Sequence, residues 1–243
     1  MTALLEVDGL VKSFGTVRAV DSASLSVQPG SITALIGPNG SGKTTLFNLI
    51  TGYLVPDHGH VRFMDRDITG TDAGRLYRRG LSRTFQQARV FPALTVQENL
   101  TVAAGYSWRQ LFGRRMSRSD RHRVFELLEE FGMARVADLL AAELSYGQRK
   151  LLEFAAVLMS SPSLILLDEP TAGVNPVMIQ TMEQHIRDRH AAGITFLIVE
   201  HDMNFVMRLC DPVIVLDQGR EIFAGPPQEV QKNPLVLDAY LGS

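Results

Sequence analysis

Residues 37–44 read Gly-Pro-Asn-Gly-Ser-Gly-Lys-Thr, which fits the pattern G-x-x-x-x-G-K-[ST]. At average residue frequencies, a chain of this length contains such a match by chance on the order of 1% of the time. Glycines let backbone N–H groups converge on phosphate oxygens, and a helix N-terminus adds partial positive charge. The pattern predicts that Lys43 reaches the β- and γ-phosphates of a nucleotide and that Thr44 offers its hydroxyl to Mg²⁺. The residues expected to bind the nucleotide here are Gly37, Pro38, Asn39, Gly40, Ser41, Gly42, Lys43 and Thr44 of the phosphate loop, and Thr45 directly after it.

The sequence around this loop predicts a strand before it and a helix after it. The apolar run Ile32–Ile36 is typical of a strand, and Pro29-Gly30 marks the preceding turn. Apolar residues recur at helical spacing through Thr44–Thr51, and Gly52 marks the end of that helix. Because strand, loop and helix follow one another directly, a glycine-rich turn without a ligand is the weaker interpretation.

The middle of the chain, residues 95–156, has the pattern of a helical insertion. Thr95 and Glu98 form a capping box, and an amphipathic helix further on ends at Gly132. The arginine-rich stretch from Arg109 to Arg123 is most simply a solvated helical surface, with a docking surface for a partner as the alternative.

Strand patterns return after this insertion. Leu164–Leu167 and Ile194–Val199 are apolar runs of the kind found in parallel sheets. The expected fold class is therefore α/β, with a parallel sheet completed across the insertion. We expect a single domain over residues 1–243, in which 1–94 and 157–243 form the core and 95–156 form a helical subdomain.

The composition is that of a globular protein. The 243 residues are 45% hydrophobic and 21% charged, enough for one core with an appended subdomain. A net charge of −2 argues against a nucleic-acid binder that neutralises phosphates. We expect Cys210 to be a small buried hydrophobe rather than a reactive thiol. Apolar runs such as Phe154–Met159 are far shorter than the ~20 residues of a membrane-spanning helix.

Two carboxylates follow one of the predicted strands, in Leu164-Ile-Leu-Leu-Asp168-Glu169. At this position Asp168 can orient the shell of a magnesium ion, and Glu169 can poise an attacking water. An aspartate that only caps the next helix is the structural alternative, but it leaves Glu169 unexplained.

A second helix N-terminus is predicted at Leu144-Ser-Tyr-Gly-Gln148, the signature segment, which precedes the helical run Arg149–Met159. Alone this signal is weak, because Ser145 could simply cap the helix. The order of the candidate elements is more specific. Along the chain it runs phosphate loop, Gln86 after Phe85, Ser145-Tyr-Gly-Gln148, Asp168-Glu169 and His201. This ordered set resembles that of the ABC ATPase family.

The resemblance implies a phosphate-loop NTPase core, an N-terminal antiparallel β subdomain and an inserted α-helical subdomain. It implies hydrolysis of ATP with Mg²⁺ by two subunits paired head to tail, so that the signature segment of one covers the ATP of the other. Gln86 would contact Mg²⁺ and the attacking water, and His201 would hold the γ-phosphate. Phe14 would stack on adenine, with core packing as the alternative. The residues expected to act in trans are Ser145, Gly147 and Gln148.

Four local features resemble more narrowly the ATPase subunits of branched-chain and hydrophobic amino-acid importers. They are Arg83-Thr-Phe-Gln-Gln87, Asp168-Glu-Pro-Thr-Ala-Gly-Val-Asn-Pro176, Glu200-His-Asp-Met203, and the tail from Asn233-Pro through Ala239-Tyr-Leu-Gly242. Related ATPases for urea and short amides, and one for lipopolysaccharide export, share much of this pattern and are the alternatives.

Three residues depart from the pattern of the broad family. Tyr146 stands where the signature usually has glycine, and Asn175 stands where aspartate is common between subunits. Both substitutions look like the importer subgroup. Leu151 stands where many relatives have arginine. ATP hydrolysis is still expected, because the signature contacts come from Ser145 and from backbone amides at a helix start.

Transport would be a property of a complex. The resemblance implies membrane permease subunits, a second ATPase subunit that is identical or paralogous, and indirectly a solute-binding protein, with the chain peripheral at the cytoplasmic face of the inner membrane. A groove near Gln86–Phe91 is the expected docking site for a cytoplasmic permease helix. The alternatives are a non-transport ABC ATPase acting on DNA or ribosomes, and a small kinase or GTPase. The sequence shows neither a second cassette nor an N-K-x-D guanine motif.

The role of Glu169 can be tested by replacing it with glutamine. Because positioned proton transfer contributes about 10²–10⁴ in rate, Glu169→Gln is expected to abolish nearly all ATP turnover while ATP binding is retained. Phosphate release and nucleotide titration measure the two quantities separately. Persistent hydrolysis in this variant would assign the base to another residue.

Overall fold

The computed structural model describes residues 2–106 and 117–241. Its strands are β1 (Leu5–Phe14), β2 (Val17–Val27), β3 (Ile32–Ile36), β4 (His58–Phe63), β5 (Arg66–Asp67), β6 (Leu81–Arg83), β7 (Leu164–Asp168), β8 (Thr195–Val199), β9 (Val213–Asp217) and β10 (Arg220–Gly225). Its helices are α1 (Lys43–Ile50), α2 (Ala73–Arg78), α3 (Val96–Ala103), α4 (Arg118–Glu130), α5 (Tyr146–Leu158), α6 (Pro176–Ala191), α7 (Met203–Leu209), α8 (Pro227–Val230) and α9 (Pro234–Leu241).

A six-stranded sheet in the order β10-β9-β3-β8-β7-β6 forms the core. Its strands are parallel except for β10, which pairs with β9 in the antiparallel sense. Strands β3, β7 and β8 are buried over all five residues, as expected for a sheet covered on both faces. The predicted α/β class with a parallel sheet is confirmed.

The parallel register brings the carboxyl ends of four strands to one edge of this sheet. Val199 in β8 lies beside Leu35 in β3 on one side and beside Asp168 in β7 on the other. Arg83, the last residue of β6, lies beside Leu166 in β7. The segments that leave β3, β6, β7 and β8 therefore begin close together, and these segments carry the phosphate loop and the other predicted catalytic residues.

A second, antiparallel sheet has the order β2-β1-β4-β5 and packs over α1. Leu5 and Val20 of this sheet share a buried cluster with Leu46 of α1 and Leu166 of the core sheet. The neighbouring residue Leu167 points to the opposite face of the core sheet and into the cluster formed with the helices, as the twofold period of a strand requires. The N-terminal antiparallel subdomain expected from the family resemblance is confirmed.

Helices α3, α4 and α5 occupy the middle of the chain. The capping box of Thr95 and Glu98 is present at the start of α3, and α4 ends just before Gly132, as predicted. The rings of Phe131 and Phe154 pack edge to face, with their centroids 5.6 Å apart. Helix α5 ends at Leu158, two residues beyond the predicted subdomain boundary at residue 156. The division of the chain at 95–156 stays a prediction.

The start of α5 differs from the sequence expectation. The helix begins at Tyr146, three residues before the predicted run Arg149–Met159. Gly147 is a weak helix former, which hides the first turn from a propensity argument. A capping box between Ser145 and Gln148 stabilises that turn.

The remaining predictions concern single features. Cys210 is buried, and burial raises its pKa to about 12, which agrees with an unreactive thiol. Across residues 2–106 and 117–241, no helix combines the length and the apolar character needed to cross a membrane. Of the predicted surface Arg109–Arg123, residues 109–116 lie outside the described residues.

Candidate functional site

The phosphate loop leaves the end of β3 and leads directly into α1. Gly42 is the N-cap of α1 with a φ of 99°, and no side chain caps this helix end. The first backbone N–H groups of α1 therefore remain available to an anion. A Cβ atom at Gly42 would clash with the carbonyl oxygen of Ala19, and one at Gly37 would clash with that of Leu216. The close approach of these backbones explains why glycine is required at both positions.

Lys43 folds over its own loop. Its Nζ donates hydrogen bonds to the carbonyl oxygens of Gly37 at 2.9 Å and of Pro38 at 2.8 Å. Burial lowers the pKa of Lys43, while the charges of Glu169 and then Asp168 act in the opposite direction. The two carboxylates at the end of β7 therefore favour the charged ammonium that a phosphate would require.

Asp168 forms a buried ion pair with Arg83. The guanidinium Nη2 donates to Asp168 Oδ2 at 2.6 Å, and both side chains are at most 5% exposed. The same guanidinium donates through Nη1 to Asn48 Oδ1 at 2.6 Å and to Thr51 Oγ1 at 3.1 Å. Arg83 thus links the carboxyl end of β7 to helix α1 behind the phosphate loop. Its role was missed from the sequence, where it counted only as part of a family motif.

The Glu169 carboxylate lies between Gln86 and His201. Gln86 Nε2 donates to Glu169 Oε2 at 2.8 Å, and Glu169 Oε1 lies 3.0 Å from His201 Nε2, within hydrogen-bond distance. The fold thus joins three residues that are far apart in sequence. These are the three residues that were predicted from the sequence to be catalytic.

A buried glutamate arranges the backbone around this cluster. Glu200 accepts hydrogen bonds through Oε1 from Thr171 N at 2.8 Å, and through Oε2 from His201 N at 2.9 Å and Asp202 N at 3.2 Å. It is only 2% exposed. Glu200 therefore holds the segment after Glu169 against the segment that carries His201.

The signature segment is folded as a helix start. Ser145 Oγ accepts from Gln148 N at 3.3 Å, and Gln148 Oε1 accepts from Ser145 N at 2.9 Å. The proposed cap is therefore real, and Ser145 is exposed to solvent while it serves as the cap. A Cβ atom at Gly147 would lie 3.0 Å from Met178 Cγ, so this glycine also permits α5 to pack against α6. The Tyr146 hydroxyl donates to the carbonyl oxygen of Gln86 at 3.1 Å.

Two buried charges on α5 were not identified from the sequence. Lys150 Nζ donates to the carbonyl oxygen of Glu169 at 2.9 Å. Glu153 Oε1 accepts from the backbone N–H groups of Phe85 at 3.2 Å and Arg89 at 3.0 Å. Burial raises the pKa of Glu153 to about 7 and lowers that of Lys150. The only sequence signal was the presence of two charges on the apolar face of an amphipathic helix.

Two partly exposed aromatic side chains, Phe14 and Tyr240, belong to β1 and α9. Phe14 ends β1 and is 50% exposed, which disagrees with a purely core role. Lys12 Nζ lies 5.9 Å from the centre of the Phe14 ring. Burial raises the pKa of Tyr240 in α9, while a hydrogen bond from the backbone of Gly37 acts in the opposite direction. Helix α9 thus borders the phosphate loop, a contact that the sequence did not predict.

A single cleft of ≈ 500 Å³ is lined by Thr44, Gln86 and Asp168, the three residues predicted to serve Mg²⁺. Hydroxyl, amide and carboxylate oxygens are the donors that this hard cation prefers. The donor set in the cleft therefore fits Mg²⁺ beside a phosphate.

The fold and this site define an ATP-binding cassette. A family model described as ABC transporter matches residues 20–172, which include the phosphate loop, Gln86, the signature segment and Glu169. The chain belongs to the ABC transporter family, as an ATP-binding and ATP-hydrolysing subunit. A second model, described as Branched-chain amino acid ATP-binding cassette transporter, matches residues 220–243.

Curated relatives match the chain over nearly its whole length. The high-affinity branched-chain amino acid transport ATP-binding protein BraF of Pseudomonas aeruginosa is 37% identical over 252 residues, which cover 98% of each chain. The probable branched-chain amino acid transport ATP-binding protein LivG of Methanocaldococcus jannaschii is 39% identical over 250 residues, which cover 98% of this chain and 97% of LivG.

Solved structures share the fold. An ATP-binding cassette of an ABC transporter in its ADP conformation has a TM-score of 0.88 and 37% identity, with 100% of both chains covered. A dimeric cassette in a post-hydrolysis state, bound to ADP and Pi, has a TM-score of 0.80 and 25% identity, with 92% of this chain and 98% of that chain covered. The expected ABC ATPase fold is confirmed.

The buried ion pair predicts a stability change. Arg83→Leu leaves the Asp168 carboxylate buried without its partner, so the free energy of unfolding is expected to fall by about 3–5 kcal/mol. Urea denaturation measures this loss. Arg62→Leu is the matched control, because Arg62 is exposed and lies 3.9 Å from Glu6, and its loss is expected to be at most about 1 kcal/mol. Equal losses in the two variants would contradict the bridging role of Arg83.

Proposed function

We propose that this chain hydrolyses ATP in a site completed by a second ATPase subunit, and that it thereby drives import of branched-chain amino acids through membrane permease subunits. The observation that carries the catalytic part is the Glu169 carboxylate, which lies between Gln86 and His201 at the sheet edge where the phosphate loop begins. Each of these three groups can act on a water molecule or on the γ-phosphate that it attacks.

The roles of the side chains follow from their contacts. Lys43 exchanges the carbonyl oxygens of Gly37 and Pro38 for phosphate oxygens, which are stronger acceptors because they are charged. The free N–H groups at the start of α1 hold the same phosphates. Glu169 accepts the proton of the attacking water, and Gln86 and His201 orient that water and the γ-phosphate. Phe14 offers its exposed ring to adenine.

Mg²⁺ is part of this proposal. When bound, it neutralises the charge that develops on the transferred phosphoryl group. Thr44 is exposed and offers a hydroxyl oxygen, and Gln86 offers an amide oxygen. Asp168 is buried and already paired with Arg83, so its carboxylate is suited to orient water around the cation.

The composite site rests on the signature segment. Ser145 is an exposed residue at the N-terminus of α5, where backbone N–H groups and the helix dipole favour an anion. Its cap to Gln148 N is long, at 3.3 Å, so the hydroxyl can turn to a phosphate at small cost. The dimeric state of the cassette with ADP and Pi supports a partner subunit, which we propose to be paired head to tail and to be either identical or paralogous. Gly147 and Gln148 would contact the ATP of that partner together with Ser145.

The proposed solute comes from the relatives. Both curated relatives are named for branched-chain amino acid transport, and the C-terminal residues 220–243 match a model described in the same terms. In this setting the chain is peripheral, at the cytoplasmic face of the inner membrane, and a solute-binding protein acts through the permease. A urea or short-amide importer and a lipopolysaccharide exporter remain the alternatives among transporters.

The permease is proposed to dock in the groove beside Gln86. The cleft of ≈ 500 Å³ is lined on that side by Tyr53, Phe85 and Arg89. Phe91, at the end of the same segment, is 54% exposed. Exposed aromatic and arginine side chains are typical anchors of protein interfaces.

A mixing experiment tests the composite site. Lys43→Ala removes the phosphate-loop cation, and Ser145→Asp keeps a helix cap but places a negative charge toward the partner's ATP. Each variant alone is expected to be inactive. Equal mixing is expected to restore about a quarter of wild-type ATPase activity. Half of the dimers then contain one subunit of each variant, and each of these dimers has one intact site out of two.

Ser145→Asn is the control for this test, because it keeps the cap without adding the charge. It is expected to retain more activity than Ser145→Asp. If the mixture of Lys43→Ala and Ser145→Asp is no more active than either variant alone, the site is not composite.

Copurification tests the transport role. A tagged full-length chain is expected to copurify with a membrane permease, and Phe91→Asp is expected to reduce both that recovery and leucine uptake about 10-fold or more. Phe125→Asp is the matched control, because Phe125 is 60% exposed on α4 and outside the groove. Intact uptake and recovery in Phe91→Asp would remove the docking proposal. Absence of any membrane partner would favour the non-transport ATPase.

A further inference from the structure

One face of α5 carries three polar groups that contact the catalytic segments. Tyr146, Lys150 and Glu153 are spaced by four and three residues, which places them on the same side of the helix. Tyr146 donates to the carbonyl oxygen of Gln86, at the first turn. The two charged residues lie deeper along the helix and are 3% and 5% exposed.

Glu153 holds both ends of the segment that carries Gln86. Its Oε1 accepts hydrogen bonds from the N–H groups of Phe85 and Arg89, at 3.2 and 3.0 Å. These two amides flank residues 86–88, so a single carboxylate oxygen closes the segment into a loop. Among the described residues, Oε2 has no hydrogen-bond partner. The carboxylate therefore binds the loop backbone through Oε1 and leaves Oε2 buried without a hydrogen bond.

Lys150 holds the backbone of Glu169. Glu169 has a φ of +47°, in the left-handed region, which is unfavourable for a residue with a Cβ atom. Lys150 Nζ donates to the carbonyl oxygen of this residue at 2.9 Å. A charge-assisted hydrogen bond from a buried ammonium stabilises this backbone conformation, which in turn directs the Glu169 side chain toward Gln86 and His201.

Stability alone does not account for this pair. Buried charges are expensive, and well-packed apolar residues at the same positions are often as stable or more so. The hydrogen bonds and nearby charges do not fully offset the loss of hydration, since burial lowers the pKa of Lys150 and raises that of Glu153, and both shifts favour the neutral form. The described hydrogen bonds of both side chains go to the backbone of the segments that carry Gln86 and Glu169, so these buried charges determine the geometry of those segments.

We infer that Lys150 and Glu153 are positioning residues for ATP hydrolysis, which align the backbones of Glu169 and of the Gln86 loop from within the signature helix. The inference rests on the proposed roles of Glu169 and Gln86. The signature segment forms the first turn of the same helix, so Ser145 and the two positioning residues belong to one rigid element.

The test separates turnover from nucleotide binding in the purified full-length chain. Lys150→Met and Glu153→Leu are each expected to lower kcat at least about 10-fold, because each leaves buried polar groups of a catalytic segment without a partner. The Kd for MgADP, measured by calorimetric titration, is expected to change by less than about threefold, because the phosphate loop is untouched. Glu153→Gln keeps an acceptor oxygen and is expected to recover most of the kcat lost in Glu153→Leu.

Thr101→Val is the control for damage to the helical region. Thr101 is buried in α3 and its hydroxyl bonds to Gln97 O at 2.8 Å, with no contact to the catalytic segments in its described hydrogen bonds. It is expected to lower Tm without lowering kcat. If Glu153→Leu does not fold, Lys150→Met decides the test, because methionine fills most of the space of the lysine stem and Glu153 keeps its hydrogen bonds from the N–H groups of Phe85 and Arg89.

Three results overturn the inference: a kcat within about threefold of wild type in the folded variants, a parallel loss of MgADP affinity, or an equal loss of kcat in Thr101→Val. Failure of the proposed function has a different signature. In that case the wild-type chain shows no turnover, or Glu169→Gln retains it. Loss of turnover in Glu169→Gln together with full turnover in Lys150→Met and Glu153→Leu would remove only the positioning role.

Discussion

The parallel pairing of β3, β8, β7 and β6 is the constraint on which the rest of the protein depends. Parallel strands place their carboxyl ends at one edge, so residues 36, 83, 168 and 199 all lead out of the sheet close together. The phosphate loop, the Gln86 loop, Glu169 and His201 start from these ends. A different strand order or one antiparallel exchange would separate them, whatever their side chains.

Around that edge, buried charged side chains hold neighbouring segments in position. Arg83 joins β7 to α1, and Glu200 joins the segments after β7 and β8. Such groups are costly to bury and are kept where their hydrogen bonds determine a geometry. The cluster of Gln86, Glu169 and His201, proposed to be catalytic, is therefore supported on each side by contacts that reach rigid strands or helices. This support matters because positioned catalysis tolerates little displacement.

The signature segment carries a residue, Ser145, that is proposed to serve two states. In the single chain, Ser145 caps α5 through its hydroxyl and is exposed at the N-terminus of that helix. In a pair of subunits the same features suit a phosphate. Through its buried face, helix α5 also reaches the backbone of the segments that carry Glu169 and Gln86. Gly147 has its own reason for being small, since α6 packs against it.

The sequence by itself determined the strand, loop and helix around Lys43, the class of the fold and the three catalytic candidates, because these signals are local in the chain or depend on order along it. Only the tertiary structure decided that Glu169 lies between Gln86 and His201, that Arg83 pairs with Asp168, and where α5 begins. It also revealed Lys150 and Glu153, which in the sequence are two ordinary charges on a helix. Their function depends on contacts across 19 and more residues of separation. Such contacts follow from the packing of α5 against the ends of the sheet, and residue spacing contains no record of that packing.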